Sequence, residues 1–294
     1  MQRPALNAPA DAPSAERLAA PLPPLLVAAD RVAATVAQGV HGRRRAGPGD
    51  AFWQFRRYQP GDPVRRIDWR RTARSPHVYV RETEWEAAQT VWLWRDASPS
   101  MAWRGARDRP EKGERATLLT LALAALLGRG GERAGLLDGG RQPVSGRDAA
   151  TRLAAALDAH DPGHRWPEGD AVPRHAEVVL LSDFLAPVED VAHGLRRLAG
   201  HGVRGHLVQV LDPAEESLPW EGRVHFVDPE TGDDQLVRRV AGVRDAYARR
   251  LADHRAGLEG VARAAGWRFA VHHTDQPPQA ALLTLYQALE GRAG

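Results

Sequence analysis

From about residue 77 onward, short apolar runs bounded by turn residues alternate with longer segments of helical period. Few folds admit that alternation. Strands interleaved with helices of this length predict a mainly parallel sheet covered on both faces, because each parallel crossover needs a helix. The expected strands are Val78 to Thr83, Thr90 to Arg95, Ala134 to Leu137, Ala176 to Ser182, Val203 to Leu211 and Trp267 to His272. The expected helices are Glu111 to Leu127, Asp148 to Ala159, Pro187 to Ala199, Val243 to Ala265 and Pro278 to Leu289. Arg141 to Ser145 is expected to return as a hairpin across Gly139-Gly140, and a second, acidic hairpin is expected around Pro229-Glu230-Thr231-Gly232. The class is a doubly wound α/β domain. Counting strands from Thr90, the expected order is 3-2-1-4-5-6.

The chain divides into three parts. Residues 1–14 are rich in Ala and Pro and read as a disordered tail. Residues 15–85 hold a helical segment, broken near Pro21 to Pro24, and then a Gly-, Pro- and Arg-rich stretch read as a small β or irregular subdomain. Residues 86–292 form the α/β domain. Between Arg43 and Arg81 lie eleven arginines against few acids, an asymmetry that needs an explanation. Lys112 is the single lysine, a bias read here as coding composition rather than chemistry.

Composition removes several functions. With no cysteine there are no disulfides, thiolate zinc sites or cysteine nucleophiles. No stretch reaches the roughly 18 apolar residues of a membrane span, and no secretory signal is visible, so the expected location is cytoplasmic. There is no Gly-x-x-x-x-Gly-Lys phosphate loop and no Gly-x-Ser-x-Gly elbow.

The candidate chemistry sits at strand ends. The run Thr90 to Arg95 leads directly into Asp96-Ala97-Ser98-Pro99-Ser100, and the fourth strand of the series ends in Asp183. In a 3-2-1-4-5-6 sheet the first and fourth strands are neighbours, and ligands bind beyond the carboxyl ends where strand order reverses. Asp96 and Asp183 should therefore share one crevice with the two serines. Two carboxylates and two hydroxyls are hard oxygen donors, suited to Mg²⁺ or Mn²⁺ with water completing the shell. An ion so held stays electrophilic and would take a carboxylate from another protein.

Asp-x-Ser-x-Ser followed by a strand-terminal Asp resembles the metal-ion-dependent adhesion site of von Willebrand factor A domains, whose fold is Rossmann-like. The preceding block resembles the signature of the bacterial domain-of-unknown-function 58 (DUF58) family. It comprises Tyr58, Pro60, Gly61, Asp62, Arg66, Asp68, Trp69 and Arg74, followed by Arg81-Glu82. The resemblance implies a non-enzymatic protein-interaction module that works with a MoxR-type AAA+ ATPase in the assembly or maturation of client proteins. It implies Ser98 and Ser100 as direct metal ligands, with Asp96 and Asp183 acting through water or directly. Adhesion sites add a threonine that has no clear counterpart here, and the matching region offers Ser145 or the more distant Thr151 in its place.

Plainer readings stand beside these. Asp96 can cap a turn, Asp183 and Asp212 can be strand-end turn residues, and Asp68 can pair with a nearby arginine. Trp53, Tyr58 and Trp69 are expected to serve packing. Two other functions compete: nucleic-acid binding through residues 43–81, and a metal-dependent hydrolase using Asp96.

Overall fold

The structure, a computed structural model, describes residues 22–40, 52–59, 64, 67–83, 89–138, 142–158, 166–167, 172–200 and 202–290. The expected tail at 1–14, the turn at Gly139-Gly140, and the signature residues Pro60, Gly61, Asp62 and Arg66 lie outside the described residues.

Two antiparallel strands, β1 (Phe52–Arg57) and β2 (Tyr79–Thr83), form a small separate sheet. Ile67 bridges Val80 on β2, and the Asp68 N–H donates to the Tyr79 carbonyl at 2.9 Å. A four-residue helix, α2 (Trp69–Thr72), follows, its N-terminus capped by Asp68. The strand expected at Val78 to Thr83 thus lies in this small sheet and not in the main one.

The main sheet contains β3 (Thr90–Arg95), β4 (Arg133–Leu136), β5 (Val144–Ser145), β6 (Glu177–Ser182), β7 (Arg204–Leu211) and β10 (Arg268–His273). Its spatial order is β10-β7-β6-β3-β4-β5, the 3-2-1-4-5-6 order expected, with only the edge strand β5 antiparallel. A separate antiparallel hairpin, β8 (Val224–Val227) with β9 (Asp234–Val237), stands outside it.

Strand side chains alternate between the two faces. Val91, Leu93, Val179, Leu181, Val208 and Val210 join one core cluster with helices α1 (Leu22–Val40), α3 (Lys112–Gly130), α4 (Ala149–Asp158) and α8 (Pro278–Glu290). Trp94, Val178, Leu180 and Leu207 join the other with α5 (Val188–Ala199) and α7 (Arg244–Ala264). Removing one such side chain, as in Leu93→Ala, costs about 2–5 kcal/mol.

Helix α1 shares the first cluster through Ala29, Val32, Ala33 and Val36, so it packs with the α/β layers rather than with the arginine-rich segment. Its two prolines, Pro23 and Pro24, occupy the first turn, where the missing N–H groups cost nothing. With α1, α4 and α8 around it, α3 is buried on nearly every side, which explains its alanine- and leucine-rich sequence. It begins with a Glu111–Glu114 capping box and stops at Gly131, whose left-handed φ of 83° suits glycine alone at low cost. Among the described residues no helix is long and apolar enough to cross a membrane.

Candidate functional site at the carboxyl rim

Four adjacent strands end in polar residues. Asp96, Asp183, Asp212 and Thr274 directly follow β3, β6, β7 and β10, and the first three are aspartates. All four are buried, between 0 and 3% exposed. A carboxylate so placed must be hydrogen-bonded or paired.

The Asp96 N–H donates to the Leu181 carbonyl at 2.8 Å, extending the β3–β6 ladder by one step. Its side chain then spends both oxygens: Oδ1 accepts from the Ser98 N–H at 2.8 Å, and Oδ2 accepts from the Ser182 hydroxyl at 2.6 Å. Burial pushes the Asp96 carboxyl above the ordinary range; the Ser182 and Ser98 hydrogen bonds oppose this, and the negative charge of Asp183 adds to it. The two aspartates therefore lie within electrostatic reach of each other.

Ser98 starts a 3-10 turn, Pro99–Met101, but its hydroxyl does not cap that turn. It meets the Ser100 hydroxyl instead, at 3.2 Å. The cap comes from far along the chain, since the Ser100 N–H donates to Glu230 Oε1 at 3.0 Å.

Asp183 accepts from the Leu185 N–H at 3.2 Å and from the Lys112 ammonium at 2.8 Å. Phe184 follows with φ of 48°, a left-handed conformation costing about 1–3 kcal/mol for a bulky residue. It is fixed by its N–H donating to the Ser182 hydroxyl and by His254 Nε2 at 2.7 Å from its carbonyl.

Lys112 is 1% exposed, and its Nζ also donates to Glu215 Oε1 at 2.6 Å. Burial alone would lower its pKa, but the charges of Asp183 and Glu215 outweigh burial and hold the ammonium above its usual value. Glu215 belongs to a short helix, α6 (Pro213–Ser217), capped by a box between Asp212 and Glu215. Asp212 also accepts from Arg109 Nη1 at 2.8 Å and from the Thr274 hydroxyl at 3.1 Å. Although burial acts to raise its pKa, these donors and the Ala214 and Gly105 N–H groups hold the Asp212 carboxyl below the ordinary range. A Cβ at Gly105 would stand 2.5 Å from Asp212 Oδ1, so only glycine lets the chain approach.

The two serine oxygens have the spacing of neighbouring cation ligands. Adjacent ligands of an octahedral ion at about 2.1 Å stand about 3 Å apart, and the Ser98 and Ser100 oxygens are 3.2 Å apart. Around them the Lys112 ammonium holds Asp183 and Glu215, the Arg95 guanidinium lies within electrostatic reach of Asp96, and Glu230 meets the Ser100 N–H. Among the described residues no group of three or more His, Cys, Asp or Glu side chains converges as a metal cluster.

The structure places Asp96, Ser98, Ser100 and Asp183 at one rim and Ser145 at the other. Ser145 pairs with Arg133, itself opposite Thr90, at the amino end of the sheet. At about 3.3 Å per residue it lies roughly 20 Å from Asp96. The antiparallel return of β5 causes this, so Ser145 is not a ligand of this site. In the signature block, Asp68 Oδ1 accepts from the Arg71 N–H at 2.9 Å, a cap. Trp69, expected to pack, is 63% exposed; Tyr58 and Arg74 are exposed too.

Sequence reasoning missed Lys112, Ser182, Glu215 and the reach of Glu230. A lone lysine in an arginine-rich chain was one available signal. Asp212-Pro213-Ala214-Glu215, a capping-box pattern, was another.

The family model described as "Protein of unknown function DUF58" matches residues 54–257. Uncharacterized proteins of Mycobacterium tuberculosis and Mycobacterium bovis are each 32% identical over 266 residues, covering 82% of this chain and 80% of the relative. Among solved structures, an aerotolerance-related membrane protein from Bacteroides fragilis is 15% identical, with a TM-score of 0.43, covering 69% of this chain and 100% of that one. The conserved hypothetical protein BatB from Bacteroides thetaiotaomicron has the same identity and coverage, with a TM-score of 0.41.

Proposed function

We propose that this chain, which belongs to the DUF58 family, is a non-enzymatic protein-interaction module of the von Willebrand factor A type. Its carboxyl rim holds Mg²⁺ or Mn²⁺ and offers the ion to an acidic residue of another protein. One observation carries the reading: two serine hydroxyls 3.2 Å apart lie on the loop between two strand-terminal carboxylates, at the point where strand order reverses. When bound, the cation supplies a Lewis-acidic position for a carboxylate. Ser98 and Ser100 would hold it, while Asp96 and Asp183 orient the shell.

The chain's own residues prepare that position. Ser182 and the Ser98 N–H fix the Asp96 carboxylate, and Lys112 fixes Asp183. The class of partner, a MoxR-type AAA+ ATPase or a client it helps to assemble, comes from the family resemblance alone.

Capture of partners by the tagged full chain, with and without a chelator, tests this. Captured protein should fall away with the chelator and with the Ser98→Ala/Ser100→Ala double variant. Capture unchanged by both would end the reading.

A second reading rests on the exposure of Trp69 beside the exposed Arg70, Arg71 and Arg74. An aromatic ring among arginines can stack on bases while the cations meet phosphates. A salt-sensitive anisotropy change with random single-stranded RNA or DNA, lost in Trp69→Ala, would favour it.

A further inference from the structure

We propose that Glu230, at the tip of the β8–β9 hairpin, is an internal occupant of the rim site. It holds the place of a partner's acidic residue, and a partner binds by displacing it. This rests on the rim-site reading above and deepens it, since it names both the ligand chemistry and the regulation.

The tip is built to present this side chain. The Asp228 N–H donates to the Asp233 carbonyl at 2.7 Å, and the Gly232 N–H donates to the Asp228 carbonyl at 2.9 Å. The Glu230 N–H donates to Asp228 Oδ1 at 2.8 Å, and the Asp233 N–H to the Thr231 hydroxyl at 3.1 Å. Glu230 is half-buried, although most of its neighbours on the tip are exposed.

Its carboxylate meets the serine loop at the Ser100 N–H, across 130 residues of sequence. A carboxylate brought to a rim that already holds Asp96 and Asp183 meets like charge. The donor N–H offsets part of that repulsion, and a cation between the serines would offset the rest. The Ser98 hydroxyl, the local group that could have capped the 3-10 turn, faces Ser100 instead. Glu230 thus caps the turn while the two hydroxyls remain paired with each other.

The hairpin is also lightly held. Its strands make their contacts chiefly with each other, and a two-stranded hairpin alone is marginal in water. It is anchored by Phe226, edge-on to Trp220 at 6.0 Å, and by Trp220, edge-on to Trp103 at 6.3 Å, just past the serine loop. On its open side Val227 and Leu236 are 56% and 45% exposed. A tethered ligand acts at high effective concentration and masks the site from a free one. Releasing it should unmask the site.

A labelled synthetic peptide spanning residues 224–237 is the probe, read by fluorescence anisotropy against the full chain with Mg²⁺ present. The Glu230→Ala chain should bind this peptide at least about tenfold more tightly than wild type. A peptide carrying Glu230→Gln should lose that advantage. Equal binding by the two chains, or no binding by either, overturns the inference. Adding Ser98→Ala/Ser100→Ala to the Glu230→Ala chain separates the two ideas. If the tighter binding is lost, internal occupancy of the serine loop is supported. If it persists, the Ser100 N–H holds the carboxylate without the serine hydroxyls or a cation between them, and the inference fails, while chelator-sensitive capture still judges the module reading by itself.

Discussion

The two rims of the same sheet are built on opposite principles. At the carboxyl end Asp96, Asp183, Asp212 and Lys112 are buried and matched atom to atom. At the amino end a groove of about 480 Å³ lies open, lined in part by Trp92, Arg133, Arg174, Glu177 and Arg204. There Arg204 stands 3.9 Å from Glu177 with its side chain 58% exposed, and Trp92 Nε1 has no hydrogen-bond partner among the described residues. Exposed ion pairs contribute little, whereas breaking a buried one strands a charge. One set of strands thus ends in a buried, paired charge network at one rim and in an open groove at the other.

The sharpest way to break this contrast is to delete one charge at each rim. Lys112→Met leaves Asp183 and Glu215 uncompensated and should cost about 3–5 kcal/mol in urea denaturation. Arg204→Ala should change stability by no more than about 0.5 kcal/mol. Equal losses would erase the distinction.

Acid should attack the buried rim next. Burial, with the charges of Arg115 and His273 adding to it, lowers the His272 pKa to about 4. Its Nε2 stands 2.9 Å from Arg115 Nη1, a donor, so the neutral ring accepts there. The unfolded chain takes up this proton near pH 6.5 and the folded chain only near 4. Stability should therefore fall as pH drops through that window, by about 3 kcal/mol at most, and hold level with respect to this group above it. His272→Asn should flatten that slope; an unchanged slope would locate the acid sensitivity elsewhere.

Asp212→Ala removes a helix cap and the partner of Arg109, and a loss of about 2 kcal/mol is expected from thermal or urea unfolding. Smallest in stability are the serines. Ser98→Ala should shift unfolding by less than about 1 kcal/mol yet abolish chelator-sensitive capture. Ser145→Ala, at the other rim, should leave both unchanged. A loss of capture in Ser145→Ala would overturn its placement.

What could be read in advance follows the same division. The strands were legible because buried parallel strands are near-continuous apolar runs, and Thr90 to Arg95 and Ala176 to Ser182 are two of them. Asp96 and Asp183 were legible because each directly follows such a run. The partners of those acids were not, because Lys112 reaches Asp183 across 71 residues and Glu230 reaches Ser100 across 130. No local period encodes such contacts. Ser145 was misplaced because a short return strand reverses direction, and with it the rim its side chain serves. Trp69 was misread because hydrophobic character speaks for burial only on average.

The lysine carries a last consequence, for amine chemistry. Lys112 is the only side-chain amine in the sequence, and the fold encloses it almost completely. The intact chain therefore offers amine-selective acylating reagents, and any enzyme that modifies lysine, no side-chain amine until the α3 end of the rim opens. Once it opens, a single nucleophile appears at the centre of the charge network, so acylation there counts opening events one molecule at a time.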